Sequence, residues 1–373
     1  MTFENNKKSF NGLKILNISL DKRILERGSV VQQRILEYGK LVDQYTVIVL
    51  SNQNDFFNLD QNIKIISVRR DNKIKGFFNL ESVLKKTLKN EKYDLITVQD
   101  PYFIGFLAHK LAQKFKIGLE IQVHGFEKFK GIRKAIAQYV LQRTDAIRVV
   151  SQRLKKQLIQ DFKVQEDKIT IVPIHVDIKM VETQGIASVR DRNKNFIFLT
   201  IGRLVPVKNI EMQIRAIANL ILKYPNIELW IIGEGLERSK YELQITNYGL
   251  QDKIKLLGQK DDLSSFYKQA DSFLLTSDQE GWGMVVVEAA SYGLPIIMTN
   301  VGCAGEFIKN NQNGIIIPIK DEKTLEKKME EFIKNQELRI KLGNNAKDSI
   351  RNLLSKEETL NLYKQSWQKA IKK

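Results

Sequence analysis

Two glutamates, Glu280 and Glu288, stand with seven residues between them in the stretch SDQEGWGMVVVEAASYGLPIIMTNVGCAGEFI, residues 277–308. Gly281 and Gly283 lie in that interval and are followed by the apolar run 284–287. Residues 272–276 are apolar enough for a buried strand, and the glycines let the chain turn without a Cβ clash. The pattern predicts a helix from about residue 284 to 292, stopped by Gly293-Leu294-Pro295. A helix start offers free backbone N–H groups and a partial positive charge, which suits an anionic ligand. Glu280 then sits in the loop at the helix mouth and Glu288 a turn inside. Two carboxylates at different depths can hold two different hydroxyl-bearing parts of one ligand. The neighbours of Glu288, VVV and AA, are apolar, so its carboxylate requires a partner.

Two cations have a comparable setting. Gly202-Arg203 follows the predicted strand 196–201, and Lys208 comes five residues after Arg203. Arg supplies a planar fork and Lys a point charge, a combination able to clamp a diphosphate. Two further turns end predicted strands: Gly233-Glu234-Gly235 after 228–232, and Gly258-Gln259-Lys260 after 254–257.

The elements that must position these residues alternate. In the first half, strands are expected at 13–18, 46–50, 64–68, 94–98, 118–123, 146–150 and 169–172. Helices are expected at 30–42, capped by Ser29, and at 80–88, 104–115, 132–143 and 153–161. The basic segment RRDNKIKGFF reads as an exposed loop. A polar break over 177–195 separates the halves, and the alternation then restarts. This pattern implies mostly parallel sheets with helices on both faces. The expected division is 1–176, 177–355 and a C-terminal helix at 356–373. The tail from residue 322 reads as helical with a break near Gly343. Leu360, Tyr363 and Trp367 form an apolar stripe expected to pack on the first domain. Ligands of such sheets bind outside the carboxyl ends of the strands, so the cleft between the halves is the expected site.

At 373 residues the chain is long enough for two domains. Its one cysteine, Cys303, excludes an intramolecular disulfide and fits a reducing compartment. The first residues have no apolar h-region and no apolar run is long enough to span a bilayer, so the expected location is cytoplasmic. The net charge of +17 is uneven. Residues 1–175 hold 31 Lys+Arg against 18 Asp+Glu, and residues 176–373 hold 29 against 25. The first half is therefore expected to face something anionic, although a Lys-, Asn- and Ile-rich composition alone also yields a basic chain. A nucleic-acid partner is disfavoured, because no nucleic-acid-binding motif accompanies the charge.

Taken in order, GRLVPVKN, IIGEG, LLGQKDDL and EGWGMVVVEAASYGLPIIMTNVGCAGEFI resemble the family 4 glycosyltransferases, retaining enzymes of the GT-B fold. QVHGFE, VVSQRLKKQL and VPIHVD are weaker matches in the first half. The resemblance spans most of the chain. It implies two Rossmann-like doubly wound domains facing across a cleft, and hexosyl transfer from a nucleotide-diphosphate sugar, UDP- or GDP-linked, to a glycan or lipid-linked acceptor in cell-surface polysaccharide or glycolipid assembly. It further implies that Arg203 and Lys208 bind the diphosphate and stabilise the charge that builds there, and that Glu280 holds hydroxyls of the transferred sugar. Gly281, Gly283, Met284 and Val285 meet sugar and phosphates through their backbone. Glu288 takes the ribose hydroxyls, and Gly258 and Gln259 lie by the nucleobase. Gly202 and Gly233 belong to the same donor side. His124 faces the sugar from the first domain, and Gly28 lines the acceptor side and approaches the diphosphate of the donor. Asp100 is a further acceptor-side candidate, while His109 and His175 read as structural.

No Asp-x-Asp triplet of the kind that holds a divalent ion occurs. Asp261-Asp262 reads as a helix N-cap, and Asp278-Gln279-Glu280 uses its glutamate for the sugar. With Arg203 and Lys208 present the expectation is transfer without metal or other cofactor. In the family's account the leaving phosphate takes the acceptor proton. Lys128, Lys130, Arg133 and Lys134 flank Phe126, Phe129, Ile132 and Ile136, a basic amphipathic patch expected to lie peripherally on the anionic inner membrane face. The alternatives are a basic nucleic-acid-binding protein and a non-catalytic GT-B partner subunit.

Overall fold

The computed structural model describes residues 12–125, 131–176 and 195–371. The chain forms two compact units, Met1–Pro173 with Lys356–Lys373, and Ile174–Ser355.

Unit 1 is built on the strands β1 (Lys14–Ser19), β2 (Gln44–Ser51), β3 (Asp55–Asp60), β4 (Ile63–Arg69), β5 (Leu95–Val98), β6 (Gly118–Val123), β7 (Ala146–Val149) and β8 (Ile169–Ile171). The order across the sheet is β3-β4-β2-β1-β5-β6-β7-β8. All described pairings are parallel except β3 with β4. Its helices are α1 (Val30–Gly39), α2 (Lys73–Asn90), α3 (Phe103–Phe115), α4 (Ile132–Arg143) and α5 (Gln152–Phe162). Every residue of β2, QYTVIVLS, is buried, as befits a β-branched strand of a sheet covered on both faces. Ser29, Asn72 and Ser151 start α1, α2 and α5 by accepting a backbone N–H with their side chains.

Unit 2 contains β9 (Phe196–Ile201), α6 (Ile210–Leu220), β10 (Ile227–Ile232), α7 (Arg238–Asn247), β11 (Ile254–Leu256), α8 (Ser264–Gln269) and β12 (Ser272–Leu275). There follow α9 (Met284–Ser291), β13 (Ile296–Thr299), β14 (Ile315–Ile317), α10 (Glu322–Lys334) and α11 (Gln336–Ser349). The order is β11-β10-β9-β12-β13-β14, with every pairing parallel. From β9 the chain winds outward through β10 and β11, then returns to β12 and winds the other way. The reversal lies between β9 and β12, where a doubly wound sheet opens a ligand crevice.

The last helix, α12 (Lys356–Ala370), packs on β6, β7 and β8 of unit 1. Trp367 is fully buried beside Tyr45, and the Tyr363 ring stacks on Tyr38 with centroids 4.6 Å apart. Gly118 makes this approach feasible, since a Cβ there would stand 2.1 Å from the Ala370 carbonyl oxygen.

Three expectations are corrected. Most of RRDNKIKGFF is helical, because Asn72 caps the Lys75 N–H at 2.8 Å and α2 begins at Lys73; only 70–72 remain as a connection. The edge strand β3 was not anticipated: DFFNLD carries acidic residues at both ends and exposes Phe56. Gly343 does not break the tail. It lies inside α11, and the break comes at Asn335, which caps α11 with its side chain. Gly343 serves close packing instead, a Cβ there standing 2.1 Å from the Gly293 carbonyl. Of the basic amphipathic patch, residues 126–130 lie outside the described ones, as do 177–194 of the polar break.

Candidate functional site

Strand ends in unit 2 converge in the order of the sheet. The loop after β9 is bonded to the loop after β10, Gly202 N–H donating to the Ile232 carbonyl (2.9 Å) and Leu204 N–H to that of Glu234 (2.9 Å). Gly233 N–H donates in turn to the Gly258 carbonyl beyond β11 (2.9 Å). Gly233 has φ +139°, and a Cβ on it would lie 2.0 Å from the Gly202 carbonyl oxygen, so only glycine allows this approach.

Across the reversal point the loops after β9 and β12 are stitched together. Asp278 N–H donates to the Val207 carbonyl (2.8 Å), and Asn209 Nδ2 to Asp278 Oδ1 (3.2 Å). Thr276 Oγ1 donates to the Lys208 and Asn209 carbonyls (3.2 and 3.1 Å). Beneath them the buried Gln213 donates to Thr276 Oγ1 (2.7 Å). The result is an ion pair between Lys208 Nζ and Glu280 Oε1, with Ser277 Oγ donating to the same oxygen at 2.7 Å. The Lys208 and Glu280 side chains are 17% and 13% exposed, enough for a ligand to reach them. Among the described residues Glu280 Oε2 has no partner.

Arg203 is not part of this cluster. It is exposed, and among the described residues it has no ion pair. Gln259 is likewise exposed, next to the partly buried Gly258. Gly281 and Gly283 are partly buried in the turn before α9, and Gly283 takes the N-cap position with φ +91°. No side chain caps α9, which leaves the amides of Met284 and Val285 at its open end. Glu288, a turn inside, finds the partner its apolar neighbours require: Tyr267 Oη donates to Glu288 Oε2 at 2.9 Å. Burial raises the Tyr267 pKa well above the ordinary phenol value, reinforced by the Glu288 charge, so the phenol remains a donor. Its ring stacks on Tyr292, centroids 5.0 Å apart. Asp262 caps locally, accepting Ser264 N–H at 2.9 Å.

In unit 1, His124 lies just beyond β6, exposed, with Nε2 3.5 Å from Gln122 Oε1. Gly28 N–H donates to Gln32 Oε1 (2.8 Å), so that amide already serves the start of α1. Asp100 accepts the Tyr102 N–H (2.5 Å), and burial raises its pKa above the ordinary carboxylate value. His109 is buried, edge-on to Tyr139, and His175 is partly buried.

Sequence reasoning missed the residues that hold the charged ones. Ser277 carried a signal, three residues before Glu280. Tyr267, Thr276, Gln213 and Asn209 carried none, because their role depends on neighbouring strands. Gly302 also belongs here: it fits under the turn, where a Cβ would come 2.5 Å from the Trp282 carbonyl oxygen.

Two family models match the chain: glycosyl transferases group 1 over residues 183–349, and glycosyltransferase family 4 over residues 38–179. The capsular polysaccharide biosynthesis glycosyltransferase CapM of Staphylococcus aureus is 28% identical over 335 residues, 83% of this chain and 86% of CapM. A UDP-Gal:alpha-D-GlcNAc-diphosphoundecaprenol alpha-1,3-galactosyltransferase of Escherichia coli is 27% identical over 257 residues, 64% of this chain and 66% of that protein. Among solved structures, a sucrose-phosphate synthase of Thermosynechococcus elongatus matches with a TM-score of 0.79 at 18% identity, covering 95% of this chain and 98% of the other. Anabaena HepE, in complex with UDP and glucose, matches with a TM-score of 0.75 at 18% identity and the same coverage.

Proposed function

The chain belongs to the family 4 glycosyltransferases, and we propose that it moves a hexose from a nucleotide-diphosphate donor to a glycan or lipid-linked acceptor, with retention and without a metal ion. The observation that carries this reading is the Lys208–Glu280 pair at the reversal point of the unit 2 sheet, partly open and with one carboxylate oxygen unassigned. The donor diphosphate takes the cation Lys208, joined by Arg203, whose exposed guanidinium is free to turn toward it. Glu280 Oε2 accepts a sugar hydroxyl, and Glu288 the ribose hydroxyls. The amides of Met284 and Val285 meet phosphate oxygens.

In the reaction the bond from the anomeric carbon to the diphosphate oxygen breaks, and its electron pair leaves with the diphosphate. Fixed cations stabilise that charge where it develops. The acceptor hydroxyl oxygen bonds to the anomeric carbon from the same face, and its proton passes to the departing phosphate. With two cations supplied by the chain, neutralisation of the diphosphate requires no metal.

CapM's role in capsular polysaccharide biosynthesis and the diphosphoundecaprenol acceptor named for the Escherichia coli relative support a cell-surface glycan or lipid-linked acceptor here. UDP is the first donor nucleotide to test, since HepE has been solved with it. Among the described residues no helix is long and apolar enough to cross a membrane. We propose that unit 1 instead docks on an anionic bilayer, where Ile74 and Phe78 stand out from α2, 71% and 61% exposed, beside Lys75. Co-sedimentation with phosphatidylglycerol vesicles, absent with phosphatidylcholine, is the expected result; equal pelleting with both would overturn it.

The decisive experiment is a screen of UDP-, GDP- and ADP-sugars for nucleotide release, with Glu280→Ala as control. One donor is expected to be turned over and the variant to be nearly inactive. If no donor is bound or turned over, the reading fails. A product of inverted anomeric configuration overturns retention. Loss of activity in EDTA with recovery on adding magnesium overturns metal independence.

A further inference from the structure

The unit 1 sheet has two unlike faces. Asn17 pairs in register with Thr97, Thr97 with Glu120, Gln122 with Arg148, and Arg148 with Thr170. In-register neighbours share a face, so six polar side chains line one side of a buried sheet. The opposite face carries Leu16, Ile96, Leu119, Ile121 and Ile147. A polar layer at such depth is costly where its groups are unpaired. Among the described residues Asn17 Oδ1, Arg148 Nε and Thr170 Oγ1 have no hydrogen-bond partner, whereas Glu120, Thr97 and Gln122 are paired, and their pairing has a direction.

Glu120 is wholly buried. Its Oε1 is bonded to Ser366 Oγ of α12, its Oε2 to Thr97 Oγ1 at 2.5 Å, and Arg148 stands 3.5 Å away. A carboxylate beside a guanidinium only accepts, so both hydroxyls donate to it. Thr97 has one hydroxyl hydrogen and spends it on Glu120. Its oxygen therefore accepts from Gln122 Nε2, 2.7 Å away. This orients the Gln122 amide, since nitrogen toward Thr97 means oxygen toward His124. Gln122 Oε1 only accepts, so His124 Nε2, 3.5 Å away, is the ring nitrogen that carries the proton. The last link is long, and the amide oxygen biases the tautomer more than it grips the ring.

We propose that Gln122 is a positioning residue: the buried Glu120–Thr97–Gln122 chain holds neutral His124 as its Nε2–H tautomer and leaves Nδ1 as a hydrogen-bond acceptor for a substrate hydroxyl. Only the last clause rests on the transferase reading. A ring held this way receives a hydroxyl hydrogen. The opposite tautomer would present a donor to that hydroxyl. Ser366 completes the chain at its far end, so docking of α12 contributes to the state of a residue at the carboxyl end of β6.

The test is long-range 1H–15N correlation on protein labelled with 15N-histidine, ligand-free, at about pH 8, above the ordinary imidazole pKa. Only three histidines are present, and loss of one set of signals in His124→Gln assigns the ring. The wild type is expected to show Nε2 protonated with a preference of roughly tenfold, equivalent to one modest hydrogen bond. In Gln122→Met that preference should fall to the smaller Nε2–H excess that a free imidazole side chain shows in water, while the His109 and His175 signals stay in place. A wild-type ring protonated at Nδ1 overturns the proposal even if the variant does not fold. So does an unchanged His124 pattern in a folded Gln122→Met. No donor is involved, so failure of the donor screen and failure of this inference are separate results.

Discussion

Glu120 in unit 1 and Glu280 in unit 2 each stand beside a cation and at least one hydroxyl group, and the two behave as opposites. Glu120 lies inside β6, with Thr97, Ser366 and Arg148 around it and no solvent exposure. Glu280 lies five residues beyond the end of β12, with Ser277 and Lys208 beside one oxygen, the other without a partner among the described residues, and 13% of its side chain exposed. The sheets are of one kind, so position along the strand makes the difference. A charge in mid-strand is sealed by a covering helix and must be satisfied by protein. A charge beyond the carboxyl end stays partly open and can be satisfied by a ligand. The first is a fixture of the fold, and the second a site.

The comparison breaks most easily at Glu120. Glu120→Ala leaves Arg148, its side chain 6% exposed, without its carboxylate. Removing one partner of a buried pair costs about 3–5 kcal/mol. The midpoint of urea unfolding should fall accordingly, while the nucleotide affinity of the protein that remains folded, a property of unit 2, stays at the wild-type value. A loss of less than about 1 kcal/mol, in the range of an exposed pair, would mean that Glu120 is not a fixture of the fold.

Lys208→Ala is the mirror experiment. Turnover should fall by about 10²- to 10³-fold, the scale for losing one preorganised group that meets developing charge. The unfolding free energy should fall by less than the about 3–5 kcal/mol of a sealed pair, since the Lys208 and Glu280 side chains keep 17% and 13% exposure. A variant that loses stability and keeps turnover would place Lys208 with Glu120, on the structural side of the comparison.

This division was half legible in the sequence. Residues beyond strand ends announce themselves, because the glycines that bring backbone close to a ligand lie next to the charges that would hold it, as in Glu280-Gly281-Trp282-Gly283. The alternation of strand and helix likewise yielded both sheets of the GT-B fold. Glu120 announced nothing. Within GLEIQV it reads as one charge in a buried strand, and its partners come from residues 97, 148 and 366, brought together only by the sheet and α12. Glycine misled for a related reason. Gly343 reads as a break and Gly76 lies in a segment that reads as a loop, yet both sit in helices. They are glycine because something packs close: the Gly293 carbonyl in one case, the Arg70 side chain in the other. A sequence shows that a glycine is present, not whether it serves a turn or a close contact.

Tyr267 tests whether the two classes are as separate as the glutamates suggest. It is 2% exposed, as sealed as a fixture of the fold, yet its hydroxyl donates to Glu288, a partly open carboxylate of the proposed donor site. Tyr267→Phe keeps the ring and its stacking on Tyr292 and removes only the donor to Glu288 Oε2. If Tyr267 is purely structural, the variant loses a little stability and binds nucleotide normally. If it acts through Glu288, the freed carboxylate grips the ribose less well. Affinity for the nucleoside diphosphate should then fall about tenfold, in line with one hydrogen bond to a charged group, with turnover at saturating donor little changed. Discrimination measured by calorimetry against the 2′-deoxynucleotide should shrink with it, because the weakened contact is the one that reads the ribose hydroxyls. Equal losses for ribo- and deoxyribonucleotide would remove Glu288 from that role and leave Tyr267 with Glu120. A loss confined to the ribonucleotide would define a third kind of residue, sealed in the core and functional only through the open carboxylate it holds.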